Sequence, residues 1–194
     1  MFRRARSRGL IGPKPELAVD ATGLDSRHTS RYFARRRGKR YRLRSYVLLA
    51  VAGHTRSHLI AAAEVRRGPT NESPLFTDLI DQAFGLAPWD RVLADKAYDA
   101  ERNHELARDQ SFIRSTVIPI NRRGRGREWP LTKYRRQMRR RFPKVKYRQR
   151  WQVESVFSRH RRLLDDALRA RAPGSQRREC RLRVLTHNLM ILAA

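Results

Sequence analysis

A single cysteine, Cys180, stands in the 194-residue chain, so no disulfide framework and no cysteine-built zinc site can organise it. No apolar run approaches the roughly 20 residues of a membrane-spanning helix. The longest such runs lie at residues 46–53 and 184–194. The opening MFRRARSRGL is basic but lacks the apolar stretch of a signal peptide. Acidic residues are scarce as well: 18 Asp and Glu stand against 45 Lys and Arg, a formal charge of +27. With a pI near 11.7, such a chain repels itself unless a polyanion neutralises it, and nucleic acid is the usual polyanion. The expectation is a soluble cytoplasmic, nucleoid-associated protein with no membrane partner. Hydrophobic residues make up 40% of the chain, enough for a real core, and the length suits one domain.

Basicity tells what the chain touches, not what it does. Residues 1–16 read as a basic lead-in, with Pro13 and Pro15 blocking a helix. From residue 17 onward the pattern is that of one domain. Leu17–Val19 reads as a short strand delivering Asp20 at its end, followed by a Thr22-Gly23-Leu24 turn. Arg31–Arg44 reads as the solvated start of a hairpin, Tyr46–Val51 and Leu59–Val65 as its long strands, joined by turn chemistry at Gly53–Ser57. A helix follows from Asn71, Ser73 and Pro74, with Leu75, Phe76, Leu79, Ile80 and Phe84 at helical spacing. Val92–Ala94 is a short strand ending in Asp95, Asp99–Gln110 a helix, and Thr116–Ile120 another strand. After the Arg-rich insert at residues 121–146 come a long helix from Tyr147 to about Arg171 and a last one at Gln176–Leu192. Antiparallel strands followed by βαβ crossovers predict an α/β fold: a ribonuclease H-like mixed sheet flanked by helices, with the basic insert before the Glu-bearing helix.

Three acids interrupt this pattern. Asp20 and Asp95 each follow an apolar strand run, where a carboxylate is costly unless paired or metal-bound. Glu154 sits in a stretch crowded with arginine. Two strand Asp residues and a helical Glu form a plausible oxygen cage for Mg²⁺ or Mn²⁺. Phosphodiester chemistry uses two such ions, about 3.5–4 Å apart, to activate a nucleophile and stabilise the leaving oxygen. Tyr147, Arg150, Glu154 and Arg161, spaced by three, four and seven residues, fall on one stripe of an ideal helix. Val153, Val156, Phe157, His160 and Leu164 form a separate apolar face. The bland alternative is that each acid merely caps a helix or pairs with an arginine.

On these residues the chain resembles the DDE transposases of insertion sequences, in the group bearing a Tyr-Arg-Glu-Lys signature. The signature reads here as Tyr147, Arg150, Glu154 and Arg161, with Arg in place of the final Lys. The first acidic motif resembles Val19-Asp20-Ala21-Thr22-Gly23, and the second Ala94-Asp95-Lys96-Ala97-Tyr98-Asp99. The resemblance covers about residues 17–192 and makes residues 17–194 a DDE catalytic domain. It implies metal ligation by Asp20, Asp95 and Glu154, and phosphate contacts from Tyr147, Arg150 and Arg161. It implies DNA cleavage at element ends with two Mg²⁺ or Mn²⁺ ions, strand transfer to target DNA without a covalent protein–DNA intermediate, and a homo-oligomer on DNA. Family members usually carry a sizeable region before the first Asp, for end binding and multimerisation, whereas 19 residues precede Asp20. A truncated copy, or one of two reading frames, is the corresponding expectation. A non-catalytic nucleic-acid-binding protein and an inactive remnant are the competing readings.

Other residues carry weaker signals. The insert reads as a DNA track, with Arg122 and Arg123 on phosphates and Trp129 and Tyr134 stacking on exposed bases. Gly124 and Gly126 read as part of a flexible basic loop, lacking the Lys-Ser/Thr ending of a phosphate loop. Asp99 reads as a helix N-cap, Asp165 and Asp166 as a solvated face paired to arginine, and Trp151 as helix packing. His54 and His58 flank a turn, where their spacing carries little weight as a zinc pair.

Overall fold

The apolar, partly β-branched run Val47–His54 is buried at all eight positions and forms β2, inside a sheet covered on both faces. The computed structural model describes residues 1–26, 47–68, 70–121, 130–165 and 167–194. Strand β1 (Glu16–Ser26) pairs antiparallel with β2, which pairs antiparallel with β3 (Ile60–Arg67). On its other side β1 runs parallel to β4 (Arg91–Ala94), and β4 parallel to β5 (Ser115–Val117). The order β3-β2-β1-β4-β5 leaves β1 at the centre, with a short β6 (Ala167–Leu168) paired parallel to its far end. This is the mixed, helix-flanked α/β sheet that the pattern of runs predicts.

Side-chain alternation along β1 builds two cores. Leu17 and Val19 join Leu48, Ala50 and Ala52 under α1 (Phe2–Ser7) and α2 (Leu75–Ala83). Ala18 and Leu24 join Leu49 and Val51 under Val153, Val156 and Phe157 of α6 (Gln152–Leu164), with Cys180 of α7 (Pro173–Ala193). The apolar face expected of the Glu-bearing helix is thus its buried face, with His160 also buried and Leu164 only half-buried. Between α2 and α6 in sequence come α3 (Glu101–Glu105), continued by a π turn at Leu106–Gln110, α4 (Lys133–Arg140), and α5 (Lys144–Tyr147) with a 3₁₀ turn at Arg148–Trp151. No described helix is long and apolar enough to cross a membrane.

Several boundaries differ from the sequence expectation. The first residues form α1, whose Phe2 and Ala5 enter the core; Pro13 and Pro15 lie beyond it and obstruct nothing. Strand β1 does not turn after Asp20. Gly23 and Leu24 find register partners in Leu48 and Val47, so Asp20 lies mid-strand. The stretch from Tyr147 to Arg171 is not one helix. The 3₁₀ turn advances its side chains by about 120° per residue, which breaks the ideal stripe. At the other end Asp165, at φ +79°, turns the chain so that Ala167 and Leu168 pair with β1 instead of extending α6. The expected hairpin start at residues 31–44 and the Gly124–Gly126 loop lie outside the described residues.

Candidate active site

Asp20 shares a strand face with Ala18 and Leu24, so its carboxylate points toward the α6 layer. In the parallel register Val19 stands opposite Ala94, which makes Asp20 and Asp95 neighbours across two strands about 4.8 Å apart. Asp95 leaves the carboxyl end of β4 and caps the 3₁₀ turn Lys96–Tyr98, its Oδ1 accepting the Ala97 N–H at 2.7 Å. Asp20 Oδ1 accepts the Ala21 N–H at 2.9 Å. Crevices at the carboxyl ends of such strands are where α/β sheets place their sites.

The third acid comes from the helical layer, and an arginine ties it in. Arg150 donates from Nη1 to Asp20 Oδ2 at 3.1 Å and from Nη2 to Glu154 Oε1 at 2.6 Å. Burial raises the Asp20 carboxyl above its ordinary value, the Ala21 N–H and Arg150 pull it down, and Asp95 and Glu154 push it up again. Asp95 and Glu154 therefore each act on Asp20, from the neighbouring strand and from the helical layer. Tyr147 belongs to the same field: burial raises its hydroxyl, Arg150 lowers it, and Asp95 and Asp20 raise it. Arg161 reaches β1 two residues past Asp20, its Nη2 donating to Thr22 Oγ1 at 3.1 Å. The structure thus gathers Asp20, Asp95, Glu154, Tyr147 and Arg150, with Arg161 beside them, although the helix that carries them is interrupted.

The donor set suits a hard divalent cation in kind, since it consists of carboxylates. Its present spacing is open: among the described residues no three His, Cys, Asp or Glu side chains form a group that could hold a metal ion. A positive charge already sits between two of the acids, because the Arg150 guanidinium bridges Asp20 and Glu154. The donor set therefore accepts a cation in kind, since the Arg150 guanidinium is held between the two carboxylates.

One further carboxylate lies in this field, and the sequence reading passed over it. Glu72 precedes α2, in a segment read only for its Asn71, Ser73 and Pro74 helix-start chemistry. Its carboxyl is raised to about 7, chiefly by burial and then by Asp95 and Asp20. Beside it lies Tyr98, fully buried, whose hydroxyl interacts with Glu72 but makes no well-formed hydrogen bond. No local motif marks Glu72; only the crossing of two layers at the sheet edge brings it in.

The remaining candidates sort differently. Tyr134 is not available for base stacking: it is buried, its hydroxyl donates to Asp109, and Arg108 lies 4.2 Å over its ring. Asp99 is not an N-cap. Ala100 holds that position, while Asp99 pairs with Arg135 through two bonds of 2.9 Å and accepts the Asn121 N–H. Trp151 does not pack; 53% of it is exposed. Asp165 is half-buried, and its carbonyl accepts from Arg183 at 2.8 Å. His54 Nδ1 meets Ser57 Oγ and His58 Nε2 meets Gln152 Oε1, both at 2.7 Å, so the two rings engage separate partners. Arg122, Arg123, Trp129 and Asp166 lie outside the described residues.

A mixed sheet with this strand order, carrying acids at the carboxyl edge of its central parallel pair, defines an α/β protein of the ribonuclease H-like class. The family model for the transposase DDE domain matches residues 11–189, and the chain belongs to that family. No curated protein matches the chain. Membership makes this a transposase domain whose substrate is DNA.

Proposed function

We propose that the chain cuts DNA at the ends of a mobile element and joins the freed 3′ ends to target DNA, using Asp20, Asp95 and Glu154 to hold two Mg²⁺ or Mn²⁺ ions. The observation that carries this reading is that Asp20 meets Asp95 across the parallel strand pair and Glu154 through Arg150, which is bonded to Asp20 and Glu154. Bound divalent ions would supply activation of the attacking hydroxyl and stabilisation of the leaving oxygen. The chain's own residues do the rest. Asp20 and Asp95 project from the rigid core, which fixes their separation while Glu154, on an exposed helix face, adjusts to them. Arg150 exchanges its carboxylate partners for a DNA phosphate, to which a planar guanidinium offers two parallel donors. Tyr147 and Arg161 flank it and grip the same strand, as in the Tyr-Arg-Glu-Lys group, with Arg161 in the lysine's place. No side-chain nucleophile is required. A homo-oligomer on DNA, at the nucleoid, completes the proposal.

The test is cleavage of duplex DNA carrying the element's ends, with Mg²⁺, by the full chain and by Asp95→Ala. The substitution should abolish cutting and leave binding largely intact, because the phosphate contacts remain. Cutting that survives the separate loss of Asp20, Asp95 and Glu154 rejects the assignment. A non-catalytic DNA-binding remnant is the reading favoured by the open spacing of the acids; it predicts binding with no cutting by the wild-type chain.

A further inference from the structure

The acids in this strongly basic chain are almost all neutralised where they are sheltered from water. Glu16, Asp20, Asp78, Asp90, Asp99 and Glu179 each meet an arginine. Asp25, Asp81 and Glu105, which do not, are exposed, and half-buried Glu101 instead accepts the Tyr134 and Arg135 N–H groups on its two oxygens. Asp95 and Glu72 break the rule: both are half-buried, and among the described residues no lysine or arginine pairs with either. With 45 cationic side chains in the sequence, two sheltered and adjacent carboxylates without a cation are an unfilled electrostatic demand.

The local structure keeps Glu72 at that place. Its carbonyl accepts the Leu75 N–H at 2.9 Å as the chain enters α2. The next residue, Ser73, accepts from Asn103 Nδ2 at 3.2 Å, and the same amide donates to the Tyr98 carbonyl at 2.8 Å. This bridge pins the Glu72 segment to the turn that directly follows Asp95. The Tyr98 hydroxyl, fully buried and with no well-formed hydrogen bond among the described residues, interacts with Glu72 and, beyond it, with Asp20 and Asp95. A buried hydroxyl is normally satisfied.

We propose that Glu72 is a fourth carboxylate of the site and helps hold a divalent cation with Asp20 and Asp95, directly or through a bound water. The inference rests on the transposase reading for the roles of Asp20 and Asp95. It assigns two cation positions to the two halves of the site. One lies between Asp20 and Glu154, where Arg150 now stands; the other lies on the Asp95 side, where no arginine stands and Glu72 supplies the missing charge. Tyr98 acts as a positioning residue, offering its hydroxyl to Glu72 from the buried side.

Mn²⁺ binding to the full chain without DNA tests this, by calorimetric titration and by electron paramagnetic resonance counting of free ion. Glu72→Gln keeps the size and polarity of the side chain and removes only its charge. It should weaken Mn²⁺ binding roughly tenfold or more, or remove one bound ion, with far-ultraviolet circular dichroism unchanged. Glu72→Asp, which retains the charge on a shorter arm, should recover part of the affinity and guards against a folding defect in the first variant. Unchanged affinity and stoichiometry in both variants overturn the inference. If Asp95→Asn then still abolishes Mn²⁺ binding, the assignment of Asp20 and Asp95 stands without Glu72. If the wild-type chain itself binds no Mn²⁺, both fall.

Discussion

Arg150 reaches Asp20 across 130 residues of chain, donating to its Oδ2 at 3.1 Å while its other nitrogen holds Glu154. Both partners of the first bond are largely sheltered, with side-chain exposures of 20% and 18%. On the proposed reading the guanidinium stands where a divalent cation would bind, so the two would compete for one position. Arg150→Ala should lower the unfolding free energy of the metal-free chain by about 1–3 kcal/mol, because the half-buried Asp20 loses its counter-charge. The same substitution should increase the rise in melting temperature produced by Mn²⁺, since nothing then has to be displaced. Thermal unfolding with and without MnCl₂ reads both effects. A variant that is destabilised yet responds to Mn²⁺ like the wild type marks the arginine as structural only.

Asp95 and Glu154 could be singled out in the sequence as candidates because each stood out against a simple local pattern, an apolar strand run in one case and an arginine-rich stretch in the other. The sheet was legible for a related reason: strands buried on both faces read as unbroken apolar runs. What could not be read depended on distant partners. Thr22-Gly23-Leu24 has turn chemistry, yet β2 supplies register partners that hold it in β1. Tyr134 looks like a stacking residue in a basic stretch, but Asp109 and Arg108, from the π turn, draw it into the protein. Glu72 looks like part of a helix entrance, and its acidic neighbours come from other strands. Local periodicity fixes element type; it is blind to charge that arrives from elsewhere in the fold.

The Asp99–Arg135 pair shows how such distant charge fastens the basic segment. The Asp99 side chain is 1% exposed, accepts two bonds from the Arg135 guanidinium, and also accepts the Asn121 N–H. Glu101 takes the Tyr134 and Arg135 N–H groups beside it, capping the start of α4 from another helix. Asp99→Ala should cost about 2–4 kcal/mol, because it strands a partly buried guanidinium and a backbone donor together. Urea unfolding measures this. Loss of less than about 0.5 kcal/mol would mean that the pair does not anchor α4.

Arg161 sits at the open side of the site with only Thr22 as its protein partner among the described residues. A single neutral hydrogen bond leaves most of its charge available to DNA. Arg161→Ala should weaken DNA binding and reduce the slope of log K against log salt by about 0.9, the value for one duplex phosphate. Arg161→Lys should keep that slope, since the charge persists, while any loss of affinity reports the bidentate fork. Filter binding or anisotropy at several salt concentrations distinguishes them. An unchanged slope in Arg161→Ala would remove the residue from the phosphate contacts.

Stability should also fall on mild acidification, through histidines outside the site. His54, His104 and His160 are each held at about 4, below the ordinary 6.5, with burial the largest cause in every case. In the unfolded chain these rings take up protons that the folded chain refuses. Their contribution is therefore intact above about pH 6.5 and is lost as pH falls toward 4, by at most about 1.4 kcal/mol per pH unit for each ring. Glu72 works the other way: its folded value of about 7 lies above the ordinary 4.5, so protonation in that window favours the fold. His187 is lowered like the three rings and Asp20 raised like Glu72, so four rings against two carboxyls leave a net loss on acidification. His160 is the clean test, because its Nε2 has no hydrogen-bond partner among the described residues and its ring packs 4.8 Å from that of His187. His160→Leu should therefore cost little at pH 7.5 and should flatten the dependence of unfolding free energy on pH between 6.5 and 5 by about one proton. An unaltered slope would show that His160 takes up its proton without unfolding.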